Sequence, residues 1–93
     1  MIVCNNNNII VAEGATYNFT FKDVSGNPKN VNISGIPTNI FTYETTTANG
    51  VTSLALTSKS DLSTVDPTSE EITYADPSNP DIYGTIRYTW VGD

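Results

Sequence analysis

Side chains alternate in character over Ala15–Lys22. Tyr17, Phe19 and Phe21 occupy odd positions, and Thr16, Asn18, Thr20 and Lys22 occupy even ones. A period of two is that of a β-strand, whose successive side chains point to opposite faces; a helix would need a period near 3.6. One aromatic face beside one polar face predicts an antiparallel strand buried on a single side. Such a strand must find a second layer to cover its rings, so the segment demands a layered β-fold.

The rest of the chain repeats this grammar. Asp23-Val24-Ser25-Gly26-Asn27-Pro28 is a run of turn formers. A strand is expected near Asn30–Ser34, with Val31 and Ile33 inward, until Gly35-Ile36-Pro37 breaks it. Asn39–Thr57 reads as one β-hairpin about Asn49-Gly50, since both positions tolerate positive φ. Within it Phe41 and Tyr43 share one face, Ile40, Thr42 and Glu44 the other, and Leu54 and Leu56 belong to the core. A short strand near Ile72–Tyr74 divides the acidic stretch 61–81, because so long a structureless loop is uncommon in a compact domain. The last strand is Ile82–Val91, with Ile82, Ile86, Tyr88 and Trp90 on one face and Gly84 marking a bulge or a close backbone approach. These readings predict one all-β domain over residues 1–93, an immunoglobulin-like antiparallel sandwich of about seven strands. A small β-barrel is the alternative.

Residues 1–11 have two readings. Ile2-Val3 and Ile9-Ile10-Val11 flank the asparagine run Asn5–Asn8. They form either an edge strand entered through a polar turn or an N-terminal arm that adds a strand to a neighbour's sheet.

Charge and residue inventory narrow the chemistry. The net charge is −6, and Lys22, Lys29, Lys59 and Arg87 are scattered, so a phosphate-tracking surface for nucleic acid is not expected, nor is anionic membrane. Histidine is absent, which removes the commonest general base and metal ligand. Cys4 is the single cysteine, has no base beside it, and reads as a small apolar core or edge residue. With no internal disulfide available and no signal-peptide pattern over Met1–Asn8, folding in a reducing cytoplasm is expected. No nucleophile motif or glycine-rich phosphate loop occurs, and Glu70-Glu71 are neighbours, where glycosidase chemistry needs carboxylates opposed across a cleft. The chain therefore reads as a non-enzyme with no cofactor. Calcium held by Asp61, Asp66, Asp76 and Asp81 is the one cation the 61–81 stretch permits, but without an Asp-x-Asp-x-Asp-Gly spacing a solvated acidic loop is the expected state. Tyr74, Tyr83, Tyr88 and Trp90 are the aromatic candidates for a carbohydrate- or cell-surface-binding platform. The register favours burial of Tyr88 and Trp90 and leaves Tyr83, beside Thr85 and Arg87, as the surface contact.

Gly14-Ala15-Thr16-Tyr17-Asn18-Phe19-Thr20-Phe21-Lys22-Asp23, followed by Gly26-Asn27-Pro28 and Val31, resembles the opening of phage β-sandwich modules. In those an alternating aromatic strand runs into an Asp-x-x-Gly-x-Pro turn and a short apolar strand. Gly50–Thr57 and Ile82-Tyr83-Gly84 are similar to the rest of that plan, while the acidic stretch 61–81 stands outside it. Modules of this kind occur as capsid decoration or cement proteins and in upper baseplates of tails. The resemblance implies a virion structural protein made in the host cytoplasm, present as an oligomer or in many copies, that attaches to a major capsid or tail protein. On that reading the partner-binding residues are Ile2, Val3, Ile9, Ile10 and Val11 of the arm, with Asp66, Glu70, Glu71 and Tyr83.

Overall fold

The computed structural model describes residues 1–48 and 51–92. Their strands are β1 (Ile2–Cys4), β2 (Asn8–Ile10), β3 (Thr16–Asp23), β4 (Asn32–Ser34), β5 (Phe41–Ala48), β6 (Val51–Ser58), β7 (Thr68–Ala75) and β8 (Tyr83–Trp90). Two four-stranded sheets result, in the orders β1-β3-β6-β5 and β2-β8-β7-β4. All pairings are antiparallel except β2 with β8, which is parallel. This is the strand order of an immunoglobulin constant-type sandwich whose first strand is divided between the sheets. The expected sandwich stands, and the sheets do not close into the alternative barrel.

The asparagine run is what divides that first strand. Asn5 continues the β1–β3 ladder: its amide donates to the Thr20 carbonyl at 3.3 Å and its side-chain oxygen accepts from the Thr20 amide at 2.8 Å. Two residues on, Asn7 serves the other sheet. Its carbonyl accepts from the Arg87 amide at 2.8 Å, and its side-chain amide donates to the Tyr74 hydroxyl at 2.7 Å and the Thr85 carbonyl at 2.9 Å. A side-chain amide carries both donor and acceptor, so the chain can leave one sheet and enter the other without orphaning backbone groups. Residues 1–11 are accordingly not a free arm but edge strands of both sheets, with Ile2, Cys4, Ile9 and Val11 in the core.

The inner faces follow the alternation. Phe19 and Phe21 of β3, Leu54 and Leu56 of β6, Ile72 and Tyr74 of β7, and Ile86, Tyr88 and Trp90 of β8 are all buried. Phe21 packs on Tyr74 at a centroid separation of 5.0 Å, and Phe41 meets Tyr88 edge-on at 5.7 Å, so aromatic contacts bridge the sheets. The hairpin partners are as expected, Phe41↔Ser58 through Ala48↔Val51; the Asn49-Gly50 turn itself lies outside the described residues.

Two expectations are corrected, on Ile40 and on Glu70 with Glu71. Ile40 does not oppose Phe41: it precedes β5 in a turn, where its amide and that of Phe41 both reach the Pro37 carbonyl, and both side chains are buried. Tyr43 shares Phe41's face as expected, and it is 49% exposed because the opposite sheet does not extend beneath it. Glu70 and Glu71 are not loop residues; β7 runs from Thr68, well ahead of the short strand expected at Ile72. The same strand, about 25 Å long at 3.3 Å per residue, keeps Asp61 and Asp66 before it apart from Asp76 and Asp81 after it, so the four do not converge. Among the described residues no three His, Cys, Asp or Glu side chains gather as a metal-binding group.

Leu62 was invisible to the alternation because it lies outside any strand, yet it is fully buried. Its amide donates to the Glu13 carboxylate at 2.7 Å, and the Val65 amide closes a turn on its carbonyl at 3.0 Å. Among the described residues Ser58 is the buried polar side chain. Its hydroxyl bonds the Ala12 and Ala15 carbonyls and accepts from the Ala15 amide, tying the β2–β3 corner to β6.

Candidate functional site

Strand register gathers two loops and the start of β6 at one end of the sandwich. β3 ends at Asp23, opposite Ile2; β7 ends at Ala75, opposite both Asn32 and Tyr83; and β6 begins just before Ser53, opposite Thr20. The β3–β4 loop and the β7–β8 loop therefore share this end with the start of β6; they occupy the places of two of the loops that serve recognition in immunoglobulin variable domains.

Both loops are held by aspartate. The Asp23 side chain accepts the amides of Ser25 and Asn27, each at 2.9 Å, while the Asp23 carbonyl accepts from Gly26. Gly26 sits at φ +87°, a conformation that costs little only without a Cβ. Asp76 repeats the device, accepting from the Ser78 amide at 2.9 Å and hydroxyl at 2.8 Å. An ion pair between Lys29 and Asp76, 2.7 Å long, then joins one loop to the other. The Lys29 ammonium together with the Ser78 donors keeps the Asp76 carboxyl well below the usual carboxylate range, and the Asn27 amide acts likewise on Asp23. The Ser63 hydroxyl and amide lower Asp61 in the same manner at the opposite end. Loops fixed before a partner arrives lose little conformational entropy on binding. On their flanks stand two exposed apolar groups, Val24 at 70% and Tyr83 at 64%.

Residues expected at a partner contact are dispersed. Ile2, Ile9 and Val11 fill the core and offer no surface, a correction that follows from the pairing of β1 and β2. Val3 is half-exposed beside Lys22 at the loop end, whereas Ile10, beside Thr89, is exposed towards the opposite end. Asp66 and Glu70 border a cleft near that far end, floored by Ile40 and Tyr88. Glu71 lies on the outer face of its sheet, accepting from the Thr85 hydroxyl at 2.7 Å with Arg87 at 3.7 Å. Of the expected set only Val3 and Tyr83 present exposed side chains at the loop end, since Ile2, opposite Asp23, is buried.

The aromatic platform is reduced in the same way. Tyr74, Tyr88 and Trp90 are buried, the indole N–H of Trp90 donating to the Val65 carbonyl at 3.0 Å, so only Tyr83 of the four remains, with the exposed Tyr43 on the other sheet. Cys4 is also buried; desolvation pushes its thiol up, and its Sγ donates to the Asn6 carbonyl at 3.3 Å.

Two features of the loop end were missed from sequence. Val24 carried a readable signal, an apolar residue inside a run of turn formers. The Lys29–Asp76 pair carried none, since the partners are distant in sequence and only the sandwich brings them together. Compared with protein-family models, curated proteins and solved structures, the chain matches none of them.

Proposed function

We propose that this chain is a non-catalytic protein-binding module that serves as a virion structural protein, most specifically a capsid decoration or cement protein attached in many copies to a repeating protein shell. The observation that carries this reading is the preorganised loop end: two aspartate-held loops, cross-linked by Lys29–Asp76 and flanked by exposed Val24 and Tyr83. A rigid polar frame around apolar anchors suits a protein surface, because the anchors gain by desolvation while the frame is already ordered. The net charge of −6 favours a partner face bearing lysine or arginine and keeps unattached copies apart. A tail or baseplate protein as the partner is the alternative within the same reading.

The test is co-sedimentation of the purified chain with particles stripped of it, alongside the Val24→Ser and Tyr83→Ala variants. Expected is saturable attachment to heads by the wild type and at least a tenfold loss for the double variant, with its urea midpoint unchanged. Attachment to tails selects the adaptor alternative. No attachment to either, with positive signals on a glycan array, refutes the reading in favour of a carbohydrate-binding module.

A further inference from the structure

The two sheets fail to cover one another along one side. β4 closes its sheet with three residues, pairing only Thr73–Ala75 of β7. Across from it β5 closes the other sheet with eight. Tyr43 and Thr45 point inward, opposite the buried Leu56 and Leu54 in register, yet both are exposed. Between them and Val31–Ile36 lies a cleft of about 560 Å³. Among the described residues β4 has no strand on its outer side.

The shape of this gap specifies its occupant. Facing sheets stand about 10 Å apart and paired strands about 4.8 Å apart, so the space beside β4 and beneath Tyr43 admits one extended chain. Such a chain would hydrogen-bond to the β4 edge, and alternate side chains would point inward against Ile36 and the Tyr43 ring. Charge restricts it further. Among the described residues no Asp, Glu, Lys or Arg lines the cleft, so a charged side chain entering it would be desolvated without a partner. Outside the cleft the molecule is acidic, with a net charge of −6, and complements basic residues on either side of the inserted segment.

We propose that the β4–β5 cleft is a strand-acceptor site, in which an uncharged extended segment of a partner protein, flanked by lysine or arginine, adds to β4 and covers Tyr43. The proposal rests on the protein-binding reading above and gives it a second anchoring point, continuous with the loop end through Val31.

The test uses the full chain, labelled with ¹⁵N, and two synthetic peptides that share a core of alternating valine and threonine. One is flanked by lysines and the other by glutamates. Expected are saturable amide shifts confined to residues 31–36 and 41–46 with the lysine-flanked peptide. Binding should be at least tenfold weaker with the glutamate-flanked peptide and lost in Tyr43→Asp, whose half-exposed position tolerates the change. Shifts centred on the loops, or none at millimolar peptide, overturn the proposal. Concentration-dependent shifts of residues 31–36 without peptide also overturn it, by making a second copy the occupant. Particle attachment separates the two readings. If Tyr43→Asp attaches as the wild type does while Val24→Ser/Tyr83→Ala does not, the acceptor site fails and the attachment reading stands. If nothing attaches to particles, the peptide titration still judges the cleft alone.

Discussion

Replacing Gly84 by alanine should destabilise the protein, although the same change at an unencumbered strand position would stabilise it. Gly84 lies directly across from Tyr74 in the β7–β8 ladder, and the Tyr74 ring lies over the place a Cβ would occupy. An added methyl would sit 2.5 Å from Cζ and 2.7 Å from Cε1 of that ring, closer than real Cβ atoms approach. The ring has nowhere to retreat: Phe21 packs against it at 5.0 Å, and its hydroxyl holds the Asn7 amide at 2.7 Å. Overpacking of a filled core costs roughly 1–3 kcal/mol, and losing the Asn7 bond adds about 1 kcal/mol. Against this, alanine restricts the unfolded chain, a gain of about 0.4–1 kcal/mol. The net expectation is a loss of about 1–3.5 kcal/mol. Urea unfolding followed by fluorescence of Trp90, the single tryptophan and a buried one, measures it directly. In a Tyr74→Leu background the shorter side chain frees the space, so Gly84→Ala should become neutral or stabilising, a coupling of about 1–4.5 kcal/mol in the double-mutant cycle. A stabilising Gly84→Ala in the wild type, or an equal penalty in both backgrounds, refutes the argument.

Two further outcomes are expected. Deleting residues 1–11 removes the buried Ile2, Cys4, Ile9 and Val11. At roughly 1.5–3 kcal/mol per side chain the loss rivals the whole stability of a small domain, so the truncated chain should show no cooperative urea transition; a wild-type midpoint would contradict the edge-strand account. Asp76, whose folded carboxyl titrates below its unfolded value, contributes stability that is present above about pH 4 and declines as pH falls further. Asp76→Asn should therefore lower the urea midpoint at neutral pH and flatten its decline below about pH 4; parallel acid limbs in variant and wild type would show that Lys29–Asp76 is not coupled to folding.

Alternation along the chain determined the layers. Tyr17-x-Phe19-x-Phe21, Leu54-x-Leu56 and Ile86-x-Tyr88-x-Trp90 each placed their apolar set on one face, and one face buried is enough to force a sandwich. Gly84 was legible as a close approach for the same reason, since a strand interior keeps glycine where something must come near. What periodicity does not encode is how far each sheet extends over the other. Tyr43 obeys the same period as Phe41, yet stands uncovered because β4 is short, a fact about a different segment. Leu62 is buried without any period, through a turn that Glu13 holds from across the fold. The asparagine run looked like a loop, but tertiary structure made it the passage between sheets, because only two ladders standing side by side give Asn5 and Asn7 opposite partners. The loop end depends on the same kind of fact: Lys29 and Asp76 meet only once strand order has set their two connections at one end. Local pattern decides which way a side chain faces, and only the pairing of distant segments decides what, if anything, it faces.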